Sequence, residues 1–206
     1  MSETASMIPV RATGADLPTL SHTLARAFHD DPVLSWIVPD PELRRTRLPA
    51  AFETFGEIYL THDETYLAGD GAAAALWAPP GAEPMTEQQT RWFAERQLDI
   101  LGDDADRAFT LGELFESHHP DQHCWYLQFV GVTPEQQGHG LGSHLLTTVL
   151  QRCDTNGMPA YLEASSPRNR RLYERHGFET AGEIVLPQGP PVWPMWRDPQ
   201  ARLAGR

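Results

Sequence analysis

The sequence predicts an α/β (α+β) fold, in which helices flank a central sheet of about seven strands. The main observation is a strand, a glycine-rich turn and a helix in succession over residues 125–151. Residues 125–132 are an apolar run, residues 137–142 contain three glycines, and the apolar residues of 145–150 have helical spacing. Short apolar runs and amphipathic helical patterns alternate along the rest of the chain, which is typical of layered α/β proteins.

The first 61 residues predict one strand followed by helices. Residues 8–12 alternate apolar and other side chains, as expected for an opening strand. Asp16 is a suitable N-cap for an amphipathic helix that ends near His29. Residues 33–38 form a short apolar segment after a turn of two acids and a proline, and residues 41–61 carry a second amphipathic helical pattern.

Two short strands and a helical pair come next. Residues 64–68 and 72–77 are apolar runs separated by Gly-Asp-Gly, a sequence typical of hairpin turns. Residues 86–121 carry nine acids and three arginines on a helical pattern. We expect an inserted helical pair at about 86–121, packed over the sheet of a single domain. Its acids form either a solvated face or an acidic wall that faces a substrate.

After the central helix, the chain predicts further strands and one short helix. Residues 160–164 read as a strand, and residues 165–169 open a helix over 170–176 that Gly177 ends. Residues 178–186 and 192–196 are predicted as the last two strands, joined by a proline-rich loop.

Composition narrows the classes of function. The 206 residues carry a net charge of −12, which disfavours nucleic-acid and membrane partners and suits an amine-bearing substrate. No signal segment or membrane-length apolar run is seen, so we expect a cytoplasmic protein. Cys124 and Cys153 are expected to be unpaired thiols. The histidines at 118, 119 and 123 lack a ligand pattern, and we predict no metal.

The glycine-rich turn predicts an anion cradle. Backbone N–H groups converge in such a turn, and the helix behind it adds the positive end of its dipole. A P-loop requires lysine, and the sequence contains no lysine. The dinucleotide-binding fingerprint requires wider glycine spacing and an acid about twenty residues later, and Asp154 lies too early.

Two blocks of sequence resemble the GCN5-related N-acetyltransferase (GNAT) superfamily. Val-Gly-Val-Thr-Pro at 130–134, followed by Gln-x-x-Gly-x-Gly at 137–142, resembles motif A of that superfamily. Asn169, Tyr173 and Gly177-Phe178 match a second block. Residues 123–198 look most like puromycin N-acetyltransferase-like actinobacterial enzymes. The resemblance implies a mostly antiparallel sheet with splayed parallel central strands, and acetyl-CoA as the donor.

The resemblance also implies the cofactor site. The backbone of Val130, Gly131 and Val132 is expected to pair with the pantetheine amides, as an added strand would. The pyrophosphate is expected on the backbone of Gln137, Gly138, His139, Gly140, Leu141, Gly142 and Ser143. Asn169 and Tyr173 lie four residues apart on one helix face, so both side chains reach the same place. In the family this asparagine contacts the cofactor, and Tyr173 becomes the candidate acid that protonates the departing thiolate.

The general base and the acceptor are less constrained. Gln128 stands where many relatives place a strand glutamate and cannot titrate, which leaves Glu163 or a water relay as the base. Glu163 could equally be a structural glutamate at the strand splay. Candidate acceptor-site residues are Asp31, Trp36, Trp77 and Gln128; Asp31 could instead cap a short helix, and the tryptophans could be core.

Three functions are compatible with these residues. The first is acetyl transfer, by direct attack in a ternary complex, to the primary amine of a small molecule such as an aminonucleoside or another antibiotic. The second is acetylation of a peptide or protein amine. The third is a non-catalytic acyl-CoA-binding regulatory module. The sequence leaves open whether the protein is a monomer or a homodimer.

Overall fold

A computed structural model describes residues 7–82 and 85–200 and contains one eight-stranded sheet flanked by helices. The strands are β1 (Val10–Arg11), β2 (Thr65–Ala68), β3 (Ala73–Ala78), β4 (Trp125–Val132), β5 (Ala160–Ala164), β6 (Glu179–Thr180), β7 (Ile184–Val185) and β8 (Pro191–Arg197). The helices are α1 (Leu17–Ala27), α2 (Pro32–Ile37), α3 (Pro41–Tyr59), α4 (Glu87–Leu101), α5 (Ala105–His118), α6 (Leu141–Asn156) and α7 (Pro167–Arg175). The strand order is β1-β2-β3-β4-β5-β8-β6, and β7 pairs with β8.

The predicted fold class is confirmed, with one difference in strand number. The predicted strand over 178–186 divides into β6 and β7, so the sheet has eight strands rather than about seven. The apolar segment at 33–38 lies mostly in α2, whose N-cap is Asp31. Pro32 at the first helical position and the Asp31 carboxylate on the N–H groups of Val33 and Leu34 favour this short helix.

The sheet is antiparallel except where β4 meets β5. These two parallel strands pair only at Trp125–Ala160, Tyr126–Tyr161 and Leu127–Leu162, and then diverge. The register between β3 and β4 shifts at this point, because Leu76 pairs with Phe129 while Trp77 pairs with Leu127. Gln128 is therefore the extra residue of a β-bulge. A bulge bends its strand and increases its twist, which accounts for the splay.

Two apolar cores cover the two faces of the sheet. On one face, α6 packs Leu145, Leu146 and Val149 against inward-facing residues of β3, β4 and β5. On the other face, α1 and α3 pack Leu24, Phe52 and their neighbours against β2 and β3. Strands covered on both sides read as nearly continuous apolar runs, as β3 and β4 do.

Helices α4 and α5 close the α3 side of the molecule. Leu101 and Ala105 at their junction pack on α2 and on β7 and β8. Of the nine acids of residues 86–121, eight are exposed and Asp104 pairs with Arg47 at 2.8 Å. The solvated-face interpretation of these acids is therefore the correct one. In the described ranges, no helix is long and apolar enough to cross a membrane.

Candidate active site

The splay leaves one edge of β4 unpaired in the middle of the sheet. Thr133 N–H donates to the Ala72 carbonyl, so its backbone faces β3. Backbone groups alternate along a strand, so those of Val130 and Val132 face the opposite way, into the gap. The Val132 carbonyl there accepts a hydrogen bond from Gln137 Nε2 at 3.1 Å. An extended ligand could pair with this edge as an extra strand does.

Gly131, which alternates with these two valines, is constrained by helix packing. A Cβ on Gly131 would lie 2.7 Å from Ala27 Cβ and 3.1 Å from a Leu24 methyl group. Its backbone faces β3 rather than the gap. The glycine therefore lets α1 approach β4 closely, and the resemblance alone had not indicated this reason for it.

The glycine-rich turn lies at the end of the gap. Gly138 and Gly140 have φ values of 84° and 88°, and Gly140 is the N-cap of α6. These left-handed conformations suit glycine and aim the first N–H groups of α6 at the cleft. A cleft of about 770 Å³ runs from the β4 edge past this turn. The predicted residues that line it are Val130, Gly131, Val132, Gln137, Gly138, Gly140, Leu141, Gly142, Ser143, Asn169 and Tyr173. His139 has an exposed side chain and is not among the lining residues.

Three arginines that no sequence motif identified lie at this cleft. Arg26 comes from α1, and Arg168 and Arg175 come from α7. Arg26 also forms a salt bridge with Glu135 at 2.6 Å. Although the chain is strongly acidic, the cleft therefore offers positive charge for a phosphorylated ligand.

Helix α7 brings Asn169 and Tyr173 to the inner end of the cleft, as their spacing predicts. Asn169 Nδ2 donates to Ser165 Oγ at 3.2 Å, and Ser165 Oγ donates to the Asp31 carboxylate. Burial raises the pKa of Asp31, although its hydrogen bonds act in the opposite direction. Burial also raises the pKa of the Tyr173 phenol, and the charge of Asp31 raises it further. Tyr173 therefore stays protonated near neutral pH.

Glu163 lies on β5 beside the gap and has an unusual environment for a carboxylate. Tyr126 Oη donates to Glu163 Oε2 at 2.9 Å, and Oε1 has no hydrogen-bond partner among the described residues. Burial raises the pKa of Glu163 to about 7, against the lowering effects of the Tyr126 and Tyr161 hydroxyl groups. A carboxylate with this pKa and an available oxygen suits proton transfer near neutral pH.

An inner cavity of about 280 Å³ adjoins the cleft, and Glu163 is one of its lining residues. Five residues line both spaces, namely Phe28, Asp31, Val130, Asn169 and Tyr173. The inner cavity is mainly apolar and is enclosed by α2, α3, α4, α5, β4 and β5. Its phenylalanines are Phe28, Phe52, Phe55, Phe93, Phe109, Phe115 and Phe129.

The four predicted acceptor-site residues separate into two groups. Asp31 and Gln128 line the inner cavity, and Gln128 Oε1 accepts from Tyr59 Oη at 2.8 Å. Trp36 and Trp77 do not line it. Trp36 Nε1 donates to the Pro187 carbonyl, and Trp77 is 0% exposed in the core beneath α6. The expectation that these two tryptophans line the acceptor site is therefore corrected.

Several cavity residues were not predicted from the sequence. The phenylalanines and Gln97 come from elements distant in the chain, and their apolar spacing does not distinguish a cavity wall from a filled core. The helical spacing of Phe93, Gln97 and Leu101 was a usable signal, because it places an amide on the apolar face of α4.

Comparison with known sequences and structures gives a consistent result. An uncharacterized N-acetyltransferase of Schizosaccharomyces pombe is 29% identical, over 94% of this chain and 84% of that protein. A mycothiol acetyltransferase of Brachybacterium faecium is 32% identical over 71% of this chain, but only 45% of that protein is covered.

Solved structures agree with these sequence relatives. The structure of histone acetyltransferase HPA2 and related acetyltransferase from Corynebacterium glutamicum superposes with a TM-score of 0.72 and 28% identity, over 98% of this chain and 100% of that one. Drosophila melanogaster polyamine N-acetyltransferase shares the fold, with a TM-score of 0.65 and 18% identity over 93% of this chain and 99% of that one. The sequence profile of the acetyltransferase (GNAT) family matches residues 72–178, which span β3, the splayed strands, the glycine-rich turn and α7. The chain belongs to the GNAT acetyltransferase family.

Proposed function

We propose that this acyltransferase moves an acetyl group from acetyl-CoA to the primary amine of a small, mainly apolar molecule, by direct attack in a ternary complex. One observation carries the proposal. The cleft that suits an extended phosphorylated ligand and the inner phenylalanine-lined cavity meet at Tyr173 and Asn169. Donor and acceptor therefore have separate approaches to one reaction point, and positioning of this kind supplies much of the rate of a two-substrate reaction.

Enzymes of the GNAT family use acetyl-CoA as the acetyl donor, and the cleft has the features that this donor requires. In our proposal the gap-facing backbone of Val130 and Val132 holds the pantetheine amides. The N–H groups of the turn from 137 to 143 hold the pyrophosphate. Arg26, Arg168 and Arg175 supply positive charge for the phosphates. The donor brings a thioester, which is an activated acyl group.

Glu163 is the proposed general base. An amine attacks only after it loses its extra proton, and Glu163 Oε1 has no competing hydrogen-bond partner among the described residues. The ammonium group first loses one proton to solvent, and Glu163 then takes the second nitrogen proton as the C–N bond forms and the neutral amine attacks the thioester carbon. Its pKa of about 7 lets it accept this proton near neutral pH and release it afterwards. A water molecule bound to Oε1 would relay the proton from the amine nitrogen to Glu163.

Tyr173 is the proposed general acid. Its phenol is buried at the junction of the two spaces and keeps its proton, as a general acid must. As the C–S bond breaks, the Tyr173 hydroxyl gives its proton to the leaving sulfur, and the tyrosinate then regains a proton from solvent. The Asp31–Ser165–Asn169 chain of hydrogen bonds holds the α7 end of this site in place.

The inner cavity favours a small acceptor over a peptide. Helices α4 and α5 cover it with Phe93, Phe109 and Phe115, whereas their acids face solvent. The wall next to the acceptor is therefore apolar rather than acidic. We propose that this helical pair is an insertion that encloses the acceptor within a single acetyltransferase domain.

A panel of amines tests the proposal. Thiol release from acetyl-CoA would be measured with 2-phenylethylamine, agmatine, puromycin and a lysine-containing peptide. We expect kcat/KM to be highest for 2-phenylethylamine, because burial of its ring is favourable by about 25 cal/mol per Å². Preference for the peptide would favour the protein-acetylation alternative. Acetyl-CoA binding without turnover of any amine would favour a non-catalytic module. An aminonucleoside antibiotic as the natural acceptor stays a prediction of the sequence resemblance.

A further inference from the structure

Among the polar side chains of the inner cavity that the proposed chemistry does not use, Gln97 has a buried amide nitrogen without a partner in the described ranges. Gln97 lies on α4, one turn after Phe93 and one turn before Leu101, and all three line the cavity. Its side chain is 4% exposed, and Nε2 has no hydrogen-bond partner among the described residues. A buried amide without a partner costs about 1–3 kcal/mol. Such a group is worth explaining, because buried polar groups are normally satisfied.

Packing alone does not explain glutamine at this position. Phe55 and Phe93 are in edge contact at 5.0 Å between ring centroids, and Phe55 contacts Phe129 at the same distance. Leu101 lies in the apolar core next to α2. Leucine or methionine at position 97 would fill the same wall without a desolvated amide.

Gln97 also lies apart from the reacting groups in the fold. Glu163 is on β5 and Tyr173 is on α7, whereas Gln97 is on the α4 wall of the same cavity. A donor at Nε2 does not bind the reacting amine in its protonated form, because an ammonium group has no acceptor. The complementary ligand atom is an oxygen elsewhere on the acceptor molecule.

We infer that Gln97 is a specificity-determining residue whose side-chain amide donates a hydrogen bond to an oxygen on the ring of an aryl amine acceptor. The inference rests on the proposed function for the amine end of this ligand, but the ring-oxygen contact is separate from acetyl transfer. A site built to hydrogen bond a ligand group discriminates strongly against analogues that lack this group. The preferred acceptors are hydroxyaryl or alkoxyaryl amines rather than plain aryl amines.

A matched pair of amines tests the preference in the intact enzyme. We expect kcat/KM for tyramine to exceed that for 2-phenylethylamine by about tenfold, which corresponds to one good hydrogen bond. Gln97→Met keeps the side-chain length and removes the amide, so the ratio of the two kcat/KM values should fall to about one. Gln88→Met is the matched control, because Gln88 is exposed on α4 and does not line the cavity.

A second measurement separates failure of this inference from failure of the proposed function. Titration calorimetry with p-cresol and toluene needs no acetyl transfer. Wild type should bind p-cresol about tenfold more tightly than toluene, and Gln97→Met should bind the two equally. This result would support the role of Gln97 even if no amine were acetylated. Equal binding by wild type, binding of neither fragment, or a preference that persists in Gln97→Met would overturn the inference.

Discussion

At the scale of single residues, the protonation of Glu163 connects the proposed catalysis with stability. Its pKa of about 7 results from burial beside an apolar cavity. As a general base it must be deprotonated, so kcat/KM should rise with pH through about pH 7 and then level off. In Glu163→Gln we expect the rise of kcat/KM near pH 7 to disappear and the plateau value of kcat/KM to fall about 100-fold. A pH–rate profile that is the same in both enzymes would assign the base to water or to another residue.

The same carboxyl group makes a prediction about unfolding. A raised folded-state pKa contributes stability at low pH, and this contribution is lost as pH rises from 4.5 through about 7. The amide that replaces the carboxyl group in Glu163→Gln does not ionise. The variant should therefore exceed wild type in free energy of unfolding by about 3 kcal/mol at pH 8, and match it near pH 4. Urea titrations at the two pH values measure this difference, and a gap that does not change with pH would contradict the assignment.

Tyr173 allows a sharper test of the acid role. Tyr173→Phe keeps the buried ring and removes only the hydroxyl group. We expect kcat to fall by about 100-fold or more, while the dissociation constant for acetyl-CoA changes by less than about twofold. Tyr66→Phe is the control, because Tyr66 is also buried but lines neither the cleft nor the inner cavity. Wild-type turnover in Tyr173→Phe would remove Tyr173 as the acid.

Single residues also show how far the sequence could predict the site. Asn169 and Tyr173 were predictable, because a helical spacing of four places two side chains on one face. Glu163 was identified by elimination, and only the structure shows that its Oε1 has no hydrogen-bond partner in the described ranges. Trp77 was misleading, because a large aromatic side chain on a strand faces either a cavity or a core. Trp77 alternates with Ala73 and Ala75 on the face of β3 that α6 covers, and this puts it in the core.

At the scale of elements, the approach of α1 to β4 depends on Gly131. In Gly131→Ala the new Cβ would lie 2.7 Å from Ala27 Cβ, so α1 or β4 must shift. We expect a loss of about 1–3 kcal/mol in the free energy of unfolding, together with weaker acetyl-CoA binding, because the gap-facing edge of β4 moves. Chemical denaturation and titration calorimetry measure the two effects.

Gly112→Ala is the matched control for this substitution. Gly112 lies within α5 and lines the inner cavity but not the cleft, and a Cβ there would meet nothing within 4 Å. Alanine should stabilise this helix by about 0.5–1 kcal/mol, since glycine is a poor helix former. If both substitutions had the same effect, the close approach of α1 to β4 would not be what requires Gly131.

Most elements were predictable because their signals are local. Strand β4 was predicted with its observed bounds, since an apolar run ends there at Thr-Pro. The strand predicted over 178–186 was too long, because β6 and β7 pair separately with β8 and the chain is irregular between them at 181–183. Such a division depends on tertiary pairing, and apolar periodicity does not reveal it.

At the scale of the whole molecule, the junction of two spaces predicts a ternary complex. Neither Cys124 nor Cys153 lines the cleft or the inner cavity, and both are buried as free thiols. We expect sequential initial-rate kinetics, with intersecting lines when both substrates are varied. Protein mass spectrometry after incubation with acetyl-CoA alone should show no acetylated side chain. Parallel lines and an acetylated residue would instead indicate a covalent intermediate.

The path of the whole chain explains why the residues of the inner cavity were harder to predict than those of the cleft. The turn, the β4 edge and α7 belong to the contiguous block matched by the family profile. The cavity combines α2 and α3, which precede this block, with α4 and α5, which lie inside it between β3 and β4, and these four helices meet only after folding. Composition was informative about charge but not about its placement, because the acids of 86–121 lie outside and the arginines line the cleft.

The splay between β4 and β5 has a consequence for hydrogen exchange. Val130 and Val132 lie in the middle of an eight-stranded sheet, yet their N–H groups face a gap instead of a neighbouring strand. When no acetyl-CoA is bound in the cleft, these two amides should exchange with deuterated solvent as fast as those of an edge strand. The neighbouring amides that pair with β3 should stay protected. Acetyl-CoA should slow exchange at these positions first, so that the interior of the sheet reports whether the enzyme is loaded.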